Sequence, residues 1–484
     1  MTLTRWLVRP LAPMMVLLVG CVPVSERPER AAMRAVPAFG ATVAELAPQA
    51  AVSGTAALPE WWRLFGDSEL NRLVGAALSG NPGLKTAEAR LRESQSLVDR
   101  AGAELYPTLS SRVTFAAERF SATDVQLRLA GDNFRHLLAD PLVLRYHLDF
   151  WGQDRARLQQ SIAHSLAIAA ERDDARLLLA ASVAAAYFEL QAAVEQARLA
   201  RDVVAEATAL QNLEQSRWAS GLTTKPLLLR TQAAVEEAGQ LSAGAEATVR
   251  VLRNLLANLA GQGPDWGRSI RAGELPPESV PALPVELPLH LLATRPDLRA
   301  ARLEAESAAE AIEVARTAFY PDVNLVGFAG LHTVTLTDVL FHGSSLAYAV
   351  GPTVTFPLFE GGRLQAALTE REALYDLAVE RYNDTLLGAV RETADALVRL
   401  REWDAKLDEQ ARLLAETEEA QRVAEATVSA GLGDRTVGLR ARLDVLVMRS
   451  RLAELRGRRL RAGVALCQAM GSGWRRLPAR SPAS

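Results

Sequence analysis

The residues of this 484-residue sequence that could do chemistry are six histidines, two cysteines and a large stock of carboxylates. His136, His147, His164, His290, His332 and His342 fall at no spacing that would gather them around one metal ion, so no metal site is assigned. No Gly-x-Ser-x-Gly turn presents a nucleophilic serine, and no cysteine–histidine pair suggests a thiolate nucleophile. The carboxylates sit on long helical stretches, where a solvated face is the ordinary reading. The three lysines, Lys85, Lys225 and Lys406, follow no Gly-rich loop that leads to Ser or Thr, so the sequence has no cradle for the phosphates of ATP. The expectation is a protein without catalytic residues and without a cofactor.

Chemistry of another kind is written at Cys21. Arg5 and Arg9 form a positive start, and Leu11 to Val19 an apolar core of signal-peptide length, too short to span a bilayer. This core runs into Leu18-Val19-Gly20-Cys21, which resembles a bacterial lipobox, where cleavage before the cysteine is followed by its lipidation. A generic signal peptide with an incidental cysteine also fits. Acyl chains at about 0.8 kcal/mol per buried CH₂ would anchor Cys21 stably. Val22, where lipoproteins kept at the inner membrane commonly carry Asp, leans towards the outer membrane. Cys467 lies in a helical run and reads as a small core residue.

The elements that carry these residues must be large. Half of the chain (49%) is apolar and 23% is charged, with 54 basic residues against 57 acidic for a net charge of -3. That composition excludes disorder, and with no basic patch it excludes a nucleic-acid partner. Two cysteines cannot make a disulfide framework, so packing and assembly must supply the stability.

The chain is internally duplicated. Asn81-Pro82-Gly83-Leu84 and Arg295-Pro296-Asp297-Leu298 each open a helical segment that ends in a Tyr-Pro pair, Tyr106-Pro107 and Tyr320-Pro321. Phe150-Trp151-Gly152 then answers to Phe359-Glu360-Gly361, and Ser220-Gly221-Leu222 to Ala430-Gly431-Leu432. A period of about 210 residues makes each copy half of a domain rather than a solenoid motif. Residues 153 to 220 hold neither Gly nor Pro, and residues 363 to 430 hold only Gly388, so each half is expected to carry one helix of roughly 100 Å. Apolar and small residues recur three and four apart in two rows, as in Leu158, Ile162, Leu166 and Ala169, which suits a helix with a neighbour on each side. Gly turns return the chain through 227–260 and 434–470, where Gly239, Gly244, Gly438, Gly457 and Gly463 are expected to interrupt the helices.

Outside the leader no run reaches the ~20 apolar residues of a helical span, the longest being Leu177 to Phe188. Alternation is a better candidate. Leu142, Leu144, Tyr146, Leu148 and Phe150 alternate with Val143, Arg145, His147, Asp149 and Trp151, and Leu346, Tyr348, Val350, Val354, Phe356 and Leu358 continue the pattern. A soluble sheet buried on one face has the same alternation. Four strands cannot close a membrane barrel, whose smallest examples have about eight, so strands that span a membrane here require an oligomer.

Taken together, LVGC before Cys21, Trp61-Trp62 with Phe65 and Asp67, Asn81-Pro82, Leu148-Asp149-Phe150-Trp151-Gly152, Thr294-Arg295-Pro296-Asp297-Leu298, Phe319-Tyr320-Pro321 and Pro357-Leu358-Phe359 resemble the TolC-like outer-membrane efflux factors. The likeness is greatest to the NodT-type lipoprotein branch of tripartite RND-type pumps. It implies a mainly α fold with a β-barrel part: a long antiparallel coiled-coil α-barrel plus four membrane strands per protomer, closed as a homotrimer with a 12-stranded barrel. It also implies a gated, passive conduit that exports small molecules such as drugs across periplasm and outer membrane. The partners implied are a periplasmic adaptor, an inner-membrane RND-type transporter and outer-membrane lipid. The adaptor would dock on hairpin tips at Gly221, Leu222 and Thr223 and at Gly431, Leu432 and Gly433. The family's acidic ring beyond the second tip falls here on Arg440, a departure that leaves Asp434, Arg435, Arg440 and Asp444 as the candidate gate.

The expected organisation is a signal peptide over 1–20, a flexible tether over 21–58 and a first repeat over 59–263, with strands near 109–120 and 141–151 and a helical hairpin at 153–260. A Pro-rich linker at 264–288 leads to a second repeat over 289–474, with strands near 322–332 and 345–358 and a hairpin at 363–470, and then to a tail over 475–484. Two other readings stay open: a lipid-tethered periplasmic coiled-coil scaffold that conducts nothing, and an outer-membrane factor for protein secretion.

Overall fold

The computed structural model describes residues 30–37, 55–58, 60–119, 121, 123, 133–273, 295–333, 345–471 and 473–476. Two helices dominate it, α3 (Gln153–Ala219) and α7 (Arg363–Ser429), each of 67 residues and each begun by a glycine with positive φ, Gly152 and Gly362. Each turns at its far end into a 35-residue helix, α4 (Lys225–Leu259) or α8 (Arg435–Ala469). The 210-residue offset therefore holds at both ends of both hairpins. The interior glycines expected to interrupt the return helices do not: both run unbroken. Gly457 instead lets α8 approach α3, since a Cβ there would stand 2.6 Å from the Ala192 Cβ.

Two shorter helices complete the layer, α2 (Pro82–Ala103) and α6 (Pro296–Thr317), each starting on the proline of its marker. They are joined end to end with the return helices. Asn81 caps α2 by accepting from the Leu84 amide (3.1 Å) and donates through Nδ2 to the Leu259 carbonyl at the end of α4 (2.9 Å). At the matching place in the second repeat, Arg295 donates to the Ala469 carbonyl at the end of α8 (2.7 Å), and also pairs with Asp297 (2.7 Å) and Glu392 (2.9 Å). Orphan carbonyls at two helix ends are thus satisfied by the residue that opens the next helix. Each joined pair runs alongside a long helix, giving neighbours in the order α2-α3-α6-α7 near the sheet and α4-α3-α8-α7 beyond it.

The sheet repeats that order. Strands β2 (Thr108–Arg119), β3 (Asn133–His147), β4 (Asp322–Thr333) and β5 (Leu346–Thr355) are antiparallel neighbours in the sequence β2-β3-β4-β5. Each continues one helix of the layer. Strand β3 differs from the expected 141–151: it begins at Asn133 and ends at His147, because Asp149 already caps α3 by accepting from the amides of Asp154 and Arg155 (both 3.2 Å). Leu148, Phe150 and Trp151 thus lie in the turn. The last strand likewise stops at Thr355, before Phe356 and Leu358.

A smaller layer covers one face of the helices. After a 3-10 turn at Trp61–Phe65, helix α1 (Ser68–Gly80) packs on α3. The Asp67 carboxylate is its centre: Oδ1 accepts from the Glu69 and Leu70 amides that begin α1, and Oδ2 accepts from the Tyr187 hydroxyl (2.8 Å) and Gln191 Nε2 (3.2 Å) on α3. Trp61, Phe65, Leu70, Leu73, Tyr187 and Phe188 are buried together there. An 18-residue window of α3 has a mean hydropathy of 1.7, enough to cross a membrane by length and composition, but 61% of it is buried, so it reads as the core stripe of a packed helix.

Three expected boundaries change. Within the expected tether over 21–58, residues 30–37 lie along α7, where Asn383 Oδ1 accepts from the Arg34 amide (2.9 Å) and Asp376 from the Ala31 amide (2.9 Å). In the same stretch β1 (Thr55–Leu58) pairs with β6 (Gly473–Arg476), which takes Arg475 and Arg476 out of the expected tail. The expected linker begins with a folded turn, α5 (Pro264–Gly267), and the buried Ile270, and its remainder lies outside the described residues.

Gly457→Leu should pry α8 from α3 and cost about 1–3 kcal/mol through overpacking. Thermal unfolding of the detergent-extracted protein measures it, and an unchanged melting temperature would mean that the close approach is not needed.

Candidate functional site

The four strands are 12, 15, 12 and 10 residues long, enough for the 9–11 residues of a tilted membrane strand. The pairing register separates their side chains by face. One face carries Val113 and Phe115 of β2, Leu142 and Leu144 of β3, Leu325 and Leu331 of β4, and Tyr348 and Val350 of β5. The opposite face carries Arg112, Glu118, His136, Asp140, Arg145, Asn324, His332, Thr353 and Thr355, and across it His332 Nε2 lies 2.8 Å from Asp140 Oδ1. One extra residue in β3, near Pro141, shifts the register and keeps Leu137 and Ala139 on the apolar face. Alternation counted from Leu142 alone could not show that.

Exposed aromatic rings gather at the level where strands become helices. Tyr106, Phe150, Tyr320, Phe356 and Phe359 are all exposed there, and Trp151 stacks on Tyr320 with ring centroids 4.9 Å apart. Aromatic girdles of this kind mark membrane–water boundaries.

Beyond the sheet, α3 carries His164, Glu171 and Asp174 on a face turned away from α1. His164 and Ala180, like Glu171 and Tyr187, are 16 residues apart, which is about 160° around a helix. These residues line a cavity of about 920 Å³ between α3, α6 and α7, with Asp297, Glu304 and Arg381 on its other walls. His164 Nδ1 lies 2.8 Å from Glu304, and that contact raises the imidazole pKa against the effect of burial. Burial pushes the Asp174 carboxyl up to about 6, helped by the charge of Asp297 and then those of Glu392 and Glu171, and opposed by Arg295.

The far ends of the hairpins close by one geometry. Gly221 (φ +71°) donates to the Trp218 carbonyl (3.0 Å) and Leu222 to the Arg217 carbonyl (2.8 Å); Gly431 (φ +72°) donates to Val428 (3.0 Å) and Leu432 to Thr427 (3.0 Å). This is the paired hydrogen bonding of a Schellman turn, whose leucine ordinarily packs back on its own helix. Here Leu222 and Leu432 are instead 70% and 82% exposed, with Thr223 half-buried and Gly433 exposed beside them.

Of the four residues singled out as a gate, one is engaged. Asp434 caps α8 by accepting from the Thr436 amide (3.0 Å) and forms an ion pair with Arg217 of α3, so it ties one tip to the other. The Thr436 amide and the Arg217 guanidinium hold its carboxyl below the usual carboxylate range. Arg435, Arg440 and Asp444 are exposed and form no ion pair among the described residues. Other charges near the tips that bridge helices had no local signal in the sequence: Arg442 pairs with Glu425 (2.7 Å) and, seven residues on, Arg449 pairs with Glu418 (2.8 Å), both from α8 to α7. Cys21 lies outside the described residues. Cys467 is fully buried, and that burial pushes its thiol up to about 12.

Comparison with known proteins gives one consistent picture. The family model described as outer membrane efflux protein matches the chain twice, over residues 73–262 and 287–472. The multidrug resistance outer membrane protein MdtP of Escherichia coli O157:H7 is 30% identical over 430 residues, 87% of each chain. Among solved structures, the outer membrane protein VceC of Vibrio cholerae is similar with a TM-score of 0.77 at 30% identity, covering 86% of this chain and 100% of that one. The outer-membrane channel OprN is similar with a TM-score of 0.80 at 25% identity, covering 93% and 98% of the two chains.

The Asp174 carboxyl titrates higher in the folded chain than in the unfolded one, so its ionisation destabilises the fold as pH rises from about 4 to about 6. Asp174→Asn should therefore melt above the wild type at pH 7.5, with the gap closing by pH 4. A gap of equal size at both values would show that the burial is not felt.

Proposed function

The chain belongs to the outer membrane efflux protein family, and from that premise we propose that it works as a homotrimeric, passive conduit whose lumen is built from three copies of the sheet and helix layer. It is an efflux channel of the outer membrane. The observation that carries the trimer is the coincidence of open edges: β2, α2 and α4 bound one side of the protomer, and β5 and α7 the other, in both the sheet and the helices. A heterologous contact joining these edges repeats around a ring, and three copies bring twelve strands to one barrel. The apolar sheet face then meets lipid, and the polar face with the cavity of α3 lines the bore. Nothing in the chain cradles ATP, so partners must drive export. A periplasmic adaptor docking on the exposed Leu222 and Leu432, with Gly221, Thr223, Gly431 and Gly433 shaping the tips, and an inner-membrane RND-type transporter behind it supply that drive. Multidrug resistance in the name of MdtP favours drugs and toxic compounds as cargo.

At the periplasmic end the closed state is held by Arg217–Asp434, with the exposed Arg435, Arg440 and Asp444 as the remaining charges of the gate. Lipid on Cys21 adds a membrane anchor. Residues 30–37 advance along α7 away from the sheet, from Arg30 at Glu372 to Arg34 at Asn383. Arg30 lies nine residues beyond Cys21, a reach of up to about 30 Å, and Glu372 is only about 14 Å along α7 from its start, which supports the reading that a lipid on Cys21 enters the bilayer.

The test is conductance of the detergent-extracted oligomer in planar bilayers. Wild type should be a trimer of low conductance. Arg217→Ala removes one half-buried pair from each of three copies, at about 0.2–1 kcal/mol each, shifting the closed–open balance roughly 3- to 160-fold towards the open channel. A monomer that never conducts, with or without the substitution, would favour the tethered scaffold.

Thiol counting tests the anchor. The folded mature protein should take up no maleimide, and the unfolded protein one equivalent, at Cys467; two equivalents on unfolding would show a free Cys21.

A further inference from the structure

At the end of β3, in register with Asn324 and on the polar face of the sheet, His147 stands among three carboxylates. Its Nδ1 contacts Asp154, in the first turn of α3 and buried, and the Asp149 carboxylate lies beside them: the three ligand atoms fall within 4.8 Å of one another. Its Nε2 faces Asp322 at the start of β4, 3.1 Å away. The two sides of the ring therefore differ. With its proton displaced, Nδ1 offers a lone pair on the side of Asp154 and Asp149, while the Asp322 carboxylate stands beside Nε2. A carboxylate that orients an imidazole whose other nitrogen meets further oxygen ligands is the arrangement of a histidine–metal site.

We propose that His147, Asp154 and Asp149 bind a divalent first-row transition-metal ion, zinc being the natural probe, which fastens the start of α3 to the end of β3 and, through Asp322, the first repeat to the second. One imidazole nitrogen with carboxylate oxygens is a donor set for zinc-like ions rather than for calcium, which takes oxygen ligands. The ion takes the place of the proton that Nδ1 donates to Asp154. Arg157, 3.7 Å from Asp154 and 2.8 Å from Glu104, and Arg155, on Asp149 at 3.1 Å, offset part of the remaining negative charge and hold both carboxylates in place. The site is an inference about assembly, independent of what the channel exports. It lies where strands become helices, at the level of the aromatic girdle, so an ion there would stiffen the joint between barrel and tunnel.

The full-length protein, extracted in detergent and stripped with a chelator, is titrated with Zn²⁺ or Ca²⁺ while bound metal and melting temperature are measured. One Zn²⁺ per protomer, a raised melting temperature with Zn²⁺ only, and loss of both in His147→Ala are expected. Asp322→Asn removes no ligand and should weaken zinc binding about 10- to 100-fold. It carries the test if His147→Ala fails to assemble. His164→Ala, whose ring pairs with Glu304 elsewhere, should bind zinc as the wild type does. X-ray absorption should show one nitrogen among oxygens. No bound zinc in the wild type, zinc retained in His147→Ala, unchanged affinity in Asp322→Asn, or calcium bound as well as zinc would each overturn the proposal.

Discussion

A backbone hydrogen bond that cannot be made inside one chain is the constraint on which the rest depends. The sheet of four strands leaves β2 and β5 each with one unpaired edge. A 12-residue edge presents about half of its residues outward, roughly a dozen N–H and C=O groups, and in hydrocarbon each unmet group costs several kcal/mol. The sum, several tens of kcal/mol, exceeds the roughly 5–15 kcal/mol of net stability that a folded domain has. An apolar face alone would let this sheet enter lipid, but the edges forbid it to stay there unpaired. Charged edge residues or a covering helix would solve the problem in a soluble protein; here the edges are long, and neighbouring copies are the economical solution.

The helices obey the same geometry because each is the continuation of a strand. Order in the sheet dictates order in the layer below, and the layer keeps its width over its whole length only if the short helices are joined end to end. Asn81 and Arg295 do this with different chemistry at equivalent places, a neutral amide reaching the Leu259 carbonyl and a guanidinium reaching the Ala469 carbonyl. The duplicated halves thus share the joint without sharing the residue. The arginine version is the more deeply built, since the side chain is buried and also held by Asp297 and Glu392.

These joints mark where the sequence was legible and where it was not. The 68-residue stretches free of proline, the Gly-Leu turns and the Asn-Pro and Arg-Pro markers located both hairpins, because breaker residues act locally. Strand alternation located the sheet but misplaced the end of β3, since the capping of α3 by Asp149 competes with strand extension and leaves no trace in hydropathy. The glycines of the return helices were misread for a related reason: a helix stabilised by neighbours on both sides tolerates glycine, and at Gly457 close packing requires it. Residues 30–37 looked like a tether because their contacts, such as the backbone hydrogen bonds to Asp376 and Asn383 and the Arg30–Glu372 ion pair, are to residues some 345 positions away in the chain. The cluster at His147 was invisible at fixed spacing because two of its carboxylates lie across a turn and the third comes from the other repeat.

At the tips, the effect of a charge is set by what it touches rather than by its place in the sequence. An acidic ring would be expected beyond the second tip of a channel of this kind, yet Arg440 stands there, and the one nearby acid that is engaged, Asp434, is committed to a cap and to Arg217. A ring of like charges would keep three copies apart and invite cations, whereas an ion pair between the two tips of one copy holds that copy's hairpins together and leaves Arg435 and Arg440 exposed. Further along α8, Arg442 with Glu425 and Arg449 with Glu418 tie the two helices of the second hairpin to each other at a seven-residue interval, and Arg442 also reaches Glu206 of α3 (3.8 Å). In the gate proposed above, opening means breaking contacts within a protomer before its neighbours separate, and a partner that acted on the hairpin tips would meet the exposed Leu222 and Leu432.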